Sequence, residues 1–404
     1  MLSKGGFTLI KSIVSRFIKT FRKKSFADAV IWFIMYYVKL YYPDNLDAKK
    51  TFLPVAYASC MSITISMAVK QLKRKGYAVH SNKTVLDTLA NFPAVDVEKM
   101  TVKAREVVIR VARKYGMKQR RTIVSIDFHD KPFYGDHTIK EVVGTKHKLG
   151  TNYAYRYATI CICEEGMRFN LATIAVTQLN LRKNIVFYLI KEAKKYVRIG
   201  EVLLDRGFND TDIIDLLKED FGVKYTMPLT ENKKVKRISK DMKGIITMPY
   251  TFYEDKPEEY QTLVKLIVDK REKETHYFIT NIADNNKAAL LLIIEAYRKR
   301  WGIETGYRVA DEFYAWTTSK KFFIRCFLGL LSFLMQDLWI LQNFIEQKGT
   351  PFQQARTKML KGCRKVLQFL KKSVQELSFY WRPSLEAELF REDITDAIKK
   401  RLSN

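Results

Sequence analysis

Between Thr122 and Pro228 the hydrophobic period of the chain alternates between strand and helix in an order that few folds can accommodate. Thr122-Ile123-Val124-Ser125-Ile126-Asp127-Phe128 is a β-branched strand ending in acid. Tyr153 to Cys163 and Met167 to Thr177 read as a second and third strand, with Glu164-Glu165-Gly166 as the hairpin turn between them. Asn184 to Val197 is an amphipathic helix, and Glu201-Val202-Leu203-Leu204-Asp205 is a short buried strand that delivers its acid into Arg206-Gly207-Phe208. Thr211 to Phe221 is helical and Val223 to Pro228 is a fifth strand. Three antiparallel strands followed by βαβ crossovers predict an α/β fold, a mixed sheet with helices on its faces.

That element order is the order of the ribonuclease-H-like fold. Residues 1–118 are helical and basic, with helix-like segments at Phe26 to Tyr41, Ala56 to Arg74 and, after the cap Ser81-Asn82-Lys83-Thr84, Val85 to Ala90. Asp96 opens a further helix that ends near Gly116. Short helices with tight turns suit a helix-turn-helix reader of DNA and suit a helical packing domain equally. Residues 119–229 and 287–345 are expected to form the ribonuclease-H-like domain. Residues 230–286 form a β-rich insertion with strands at Gly244 to Tyr253, Gln261 to Val268 and His276 to Ile282, and 346–404 are a basic helical C-terminal region. One long helix is expected from Asn286 through Glu304 toward Trp316.

Lys and Arg number 71 against 43 Asp and Glu, a formal charge of +28 that favours a polyanionic partner, nucleic acid first and an anionic membrane surface second. Ala29 to Val38 is too short to span a bilayer; Phe322 to Ile345 is longer but carries Arg325, Gln336 and Asp337, and is read as a buried helix or helix pair. No stable membrane association is expected. The Leu9 to Phe21 pattern is open between a transit or membrane-surface helix and a docking helix. The five cysteines are odd in number and lack paired metal-ligand spacing, which fits a reducing, intracellular setting; a nucleic-acid partner would place the chain in the cytoplasm, at the nucleoid. No phosphate-cradling Gly-x4-Gly-Lys loop occurs.

The chemistry rests on three acids. Asp127 follows the first strand, Asp205 the fourth, and Glu304 lies in Tyr297-Arg298-Lys299-Arg300-Trp301-Gly302-Ile303-Glu304-Thr305-Gly306-Tyr307-Arg308. The first and fourth strands of such a sheet are neighbours, and the helix after the insertion brings the glutamate over them. Three convergent carboxylates repel one another unless a cation joins them. Two Mg²⁺ ions on hard oxygen ligands relieve that repulsion, one activating water or a 3′-hydroxyl and one stabilising the leaving oxygen of a displacement at phosphorus. Each acid also has a plain reading: Asp127 as a loop acid, with Asp130 and Asp136 competing for its role, and Glu304 as an i,i+4 partner of Arg300 or Arg308. His129 lies close to Asp127 and is read as a surface or turn histidine, with a role near the site as the alternative; Trp301 and Trp316 are read as helix-packing residues, with stacking on a displaced base as the alternative.

With these residues in place, the chain resembles the DDE transposases of the insertion-sequence-four group. There the third acid lies in Tyr-x2-Arg-x3-Glu-x6-Lys after a β-rich insertion, matched by Tyr297, Arg300 and Glu304; the second is followed by Arg-Gly-Phe, matched by Arg206-Gly207-Phe208; and a Thr-Asn pair closing the insertion is matched by Thr280-Asn281. The motif lysine is replaced by Asp311, with Arg308, Lys320 and Lys321 as candidate substitutes. The resemblance covers residues 120 to 345 and implies metal-dependent cleavage at transposon ends and strand transfer into target DNA. It implies two Mg²⁺ ions (or Mn²⁺) on Asp127, Asp205 and Glu304, and contacts to DNA from Tyr297, Arg300, Arg308 and Arg206. The implied partner is double-stranded DNA, as element ends and as target, with a dimer assembled on it. A metal-dependent nuclease or resolvase without strand transfer, and a non-catalytic DNA-binding relic, are the rival readings.

Overall fold

β-Branched and aromatic residues build β1 (Arg121–Pro132), β2 (Val143–Lys148), β3 (Thr151–Ile162), β4 (Asn170–Val176), β5 (Arg198–Leu204) and β6 (Lys224–Pro228). After them come β7 (Gly244–Phe252), β8 (Thr262–Lys270) and β9 (His276–Thr280). The computed structural model describes residues 47–347, without 118–119, 165, 255–256, 259–260 and 272–273. The helical patterns expected at 9–21 and 26–41, and the basic tail from 348 on, lie outside the described residues.

The nine strands form one sheet in the order β2-β3-β1-β5-β6-β9-β8-β7, with β4 sharing the outer edge of β3. β1 runs antiparallel to β3, and β5 and β6 follow it in parallel. This is a mixed α/β sheet of the ribonuclease-H-like kind. Two of its features were not foreseen. β2 escapes the hydrophobic pattern because its exposed half is Lys146-His147-Lys148. The insertion strands continue the main sheet, because β9 pairs antiparallel with β6. The Asn281 side chain makes that junction: it accepts from the Tyr225 N–H at 2.9 Å and donates to the Val223 carbonyl at 3.0 Å, so a loop residue completes the ladder.

Ten helices are described outside the short turns. α1 (Ala48–Met61) and α2 (Ile65–Arg74) replace the single helix expected over 56–74. The break has a local cause: Ser62 turns left-handed at φ 50°, and the Thr64 hydroxyl caps α2 by accepting from Met67 N–H. α3 (Asn82–Ala90) starts at the expected Ser81 cap, and α4 (Ala94–Lys114) follows. α5 (Arg182–Ala193) precedes β5, while α6 (Thr211–Asp215) runs into a π-turn over Leu216–Asp220. α7 (Lys233–Ile238) opens the insertion.

The long helix expected from Asn286 toward Trp316 is two, α8 (Lys287–Arg298) and α9 (Trp301–Glu312). At the junction, bonds to the third preceding residue (Lys299 to Ala296, Arg300 to Tyr297, Gly302 to Lys299) replace the α-helical ladder. The last helix, Phe322–Gln347, is continuous, and 94% of its apolar window is buried inside the protein, as a core helix. It packs on α4 and β4, while α5 packs on β3 and β4. Arg105 of α4 reaches Asp337 of this last helix at 3.1 Å, and Asp337 also accepts from the Asn170 N–H at 2.8 Å, so one buried ion pair ties helix, helix and strand.

Candidate active site

Alternate residues of a strand face opposite sides of the sheet, so Asp127, His129 and Lys131 of β1 share one face and Phe128 and Asp130 the other. The first face meets α9. Asp127 does not end its strand as expected. β1 continues to Pro132 because its later charges are paired: Asp130 takes Arg156 at 2.6 and 2.7 Å, and His129 and Lys131 both donate to Asp311. Those bonds place Asp130 on the far face, while Asp136, the other competing acid, is an exposed turn residue accepting from Thr138.

Asp205 leaves β5 and caps the 3-10 turn Arg206–Phe208, its Oδ1 accepting from the Arg206 N–H at 2.7 Å. Phe208 anchors that turn by stacking on Phe128 with ring centres 4.8 Å apart. β1 and β5 are hydrogen-bonded neighbours. The turn that carries Asp205 is therefore fixed beside the strand that carries Asp127. Glu304 sits in the first turns of α9, one helical turn after Arg300. α9 lies close to the core because Gly302 and Gly306 face inward; a Cβ at Gly302 would overlap the Arg168 guanidinium, and one at Gly306 would come within 2.8 Å of Gln336.

Arg300 organises the centre. Its Nη1 donates to Asp127 Oδ2 at 2.7 Å and its Nη2 to Glu304 Oε1 at 3.3 Å, while Nε has no partner among the described residues. Burial pushes the Asp127 carboxyl up to about 6; Arg300 and the Phe128 N–H pull against that rise, and the charges of Asp205 and Glu304 add to it. All three acids thus share one field. Burial works against the charge of Arg300, but Tyr297, Asp127, Asp205 and Glu304 together hold its pKa above the ordinary value.

Among the described residues, no three His, Cys, Asp or Glu side chains are gathered closely enough to hold an ion as they stand. Asp127 and Glu304 are spread on either side of the Arg300 guanidinium, a cation that already offsets part of their charge. The donor set, three carboxylates in one field, is nonetheless the hard-oxygen chemistry that suits Mg²⁺ or Mn²⁺.

The expected DNA contacts differ in where they stand. Tyr297 is buried against Phe278 at 5.2 Å and Arg300 is only 6% exposed, so both point inward. Arg308 and Arg206 are exposed. The two tryptophans read as packing residues are instead open to solvent, Trp301 at 66% and Trp316 at 52%; the α8–α9 break turns Trp301 outward. At Asp311, where the motif has lysine, the structure supplies a cation, Lys131, from another element. Lys131 and His129 of β1 meet Asp311, and His129 stacks on Tyr307 at 4.6 Å. His129 therefore belongs to this neighbourhood, through Asp311. Nothing in the sequence around Lys131 announced the pairing, which spans 180 residues.

Comparison with known proteins gives one family, described as Transposase DDE domain, matched over residues 118–334, more than half of the chain. No curated protein matches it.

Proposed function

The chain belongs to the Transposase DDE domain family, whose members process DNA, and on that footing we propose that it cleaves the ends of its own element and joins them to a target. The observation that carries this reading is the shared field of Asp127, Asp205 and Glu304 around Arg300, on two adjacent strands and the helix behind the insertion.

Asp127, Asp205 and Glu304 would hold Mg²⁺, or Mn²⁺ in its place, which when bound supplies Lewis-acid stabilisation of charge at phosphorus. The chain's own residues do the rest. Arg300 bridges Asp127 and Glu304, setting one buried positive charge between the two carboxylates. Exposed Arg206 and Arg308 flank the acids with charge that attracts the DNA backbone. The catalytic domain comprises 119–229 and 287–345, with 230–286 inserted, and the N-terminal helices read the terminal repeats. Cleavage of both ends in concert calls for a dimer assembled on DNA.

The test is a joining assay. A duplex carrying the inverted repeat that flanks the gene, already cut to expose its 3′-hydroxyl, is incubated with the full chain, Mg²⁺ and a supercoiled plasmid. Covalent joining of the end to the plasmid supports the reading. Cutting without joining would make the protein a nuclease or resolvase, and binding without either would make it a relic. Binding itself should weaken steeply as salt rises, because each paired Lys or Arg releases a counterion from DNA.

A further inference from the structure

A cleft of about 1030 Å³ opens beside the acids, on the side of the sheet away from α9. Phe128 lines it, and Phe128 faces opposite to its neighbour Asp127. One wall is the β2–β3 hairpin with Lys146 and Tyr153, the other is the start of α5 with Arg182, and Asp205 with Arg206 closes the end. The cleft therefore reaches the catalytic acids through Asp205 alone, from the face that α8 and α9 do not occupy.

Its charge is one-sided. Of its four cations, only Arg156 has a carboxylate partner, Asp130. Arg182 donates to the Gly207 carbonyl at 2.9 Å, which orients it along the Asp205 turn but leaves its charge uncompensated. Lys146 and Arg206 are exposed and form no ion pair among the described residues. Next to Lys146 the hairpin adds exposed Lys148. Lysine and arginine so placed attract phosphates, and contacts to phosphate fix position without reading sequence. Under the proposed function the terminal repeats are read by the N-terminal helices, so a backbone-holding cleft suits the target strand.

We infer that this cleft is the target-DNA site, taking one sugar-phosphate strand of the target with its backbone toward Lys146, Arg182 and Arg206 and one phosphate at Asp205. The inference rests on the strand-transfer reading above. In that step the 3′-oxygen of the element end forms a bond to the target phosphorus as the bond from phosphorus to the target's own 3′-oxygen breaks. The proton of the attacking hydroxyl leaves to solvent and the departing oxygen takes one up. One phosphodiester is made for each one lost, so no further reactant is required.

The double variant Lys146→Glu/Lys148→Glu tests it, since both side chains are exposed on the β2–β3 hairpin and neither belongs to the acid cluster or to the Asp205 turn. Three readouts are taken on the full chain with Mg²⁺: cutting of an intact end duplex, joining of a pre-cut end to plasmid, and the salt dependence of joining. Joining should fall by about 10-fold or more while cutting changes by less than about 2-fold, and the salt slope for target capture should drop by about 2. A parallel fall in cutting and joining would place the element end in the cleft and overturn the inference. So would joining that is unchanged. Wild-type protein that cuts but never joins would remove the strand-transfer reading itself, a result distinct from either.

Discussion

Arg300 stands between Asp127 and Glu304, 2.7 Å from the first and 3.3 Å from the second, and so links the middle strand to the helix behind the insertion. It lies at the α8–α9 junction, between the end of one helix and the start of the next. A guanidinium forks to two carboxylates at fixed geometry, which an ammonium cannot reproduce. Arg300→Lys and Arg300→Ala should therefore both lower single-turnover end cutting by about 100-fold, of the order seen when one preorganised charge contact is removed. Cutting by the lysine variant at the wild-type rate would mean that only the charge matters.

Asp311 makes a second, opposite prediction. By the resemblance, lysine belongs at this position, yet here an acid is held below its ordinary pKa, against its burial, by His129 and Lys131. Restoring the motif with Asp311→Lys would set a second cation against Lys131. Activity should fall, and Lys131→Glu added to Asp311→Lys should recover part of it. Higher activity for Asp311→Lys alone would show that Asp311 is a defect and not half of a relocated pair. The readout is end cutting at fixed Mg²⁺.

How much of this was legible depended on whether the signal was local. Leu203 and Leu204 before Asp205, and the Arg-Gly-Phe after it, mark a buried strand entering a tight turn, and the structure builds that strand and turn. The insertion strands announced themselves by alternation. What stayed hidden was set by partners far along the chain. β1 runs past Asp127 only because Asp130 finds Arg156 and Lys131 finds Asp311. Arg300, at the helix break, finds its partner Asp127 173 residues away. The cleft combines β2, β3, α5 and the Asp205 turn, and no stretch of sequence contains it.

Stability should also depend on pH through Glu98, which leaves α4 to accept the Ala175 N–H at 3.0 Å. Burial raises its carboxyl from 4.5 to about 7, with the Ala175 bond pulling the other way. Its folded value lies above its unfolded one, so the folded chain holds the extra proton between those limits. Stability is then lost as pH rises from about 4.5 through 7. Glu98→Gln should flatten that slope and gain about 1–3 kcal/mol relative to wild type at pH 8. Urea unfolding at pH 5 and pH 8 gives the comparison; identical slopes for the two proteins would remove Glu98 as the cause.

The buried pair Arg105–Asp337 should respond in a different way. Asp337→Asn leaves the Arg105 charge without its partner in a site where both side chains are at most 1% exposed. The expected cost is about 3–5 kcal/mol. Arg105→Met/Asp337→Leu, which removes both charges, should cost less than the single change, and the urea midpoints of the two variants decide it.

The central claim is that Asp127, Asp205 and Glu304 act together on phosphodiester bonds. Its most direct test is metal-dependent cutting of an element-end duplex by Asp205→Asn and Glu304→Gln, with binding of the same duplex measured alongside. Cutting should vanish in both variants while binding stays within about 3-fold of wild type, since neither acid contributes to backbone attraction. Cutting at an undiminished rate by either variant would contradict the assignment.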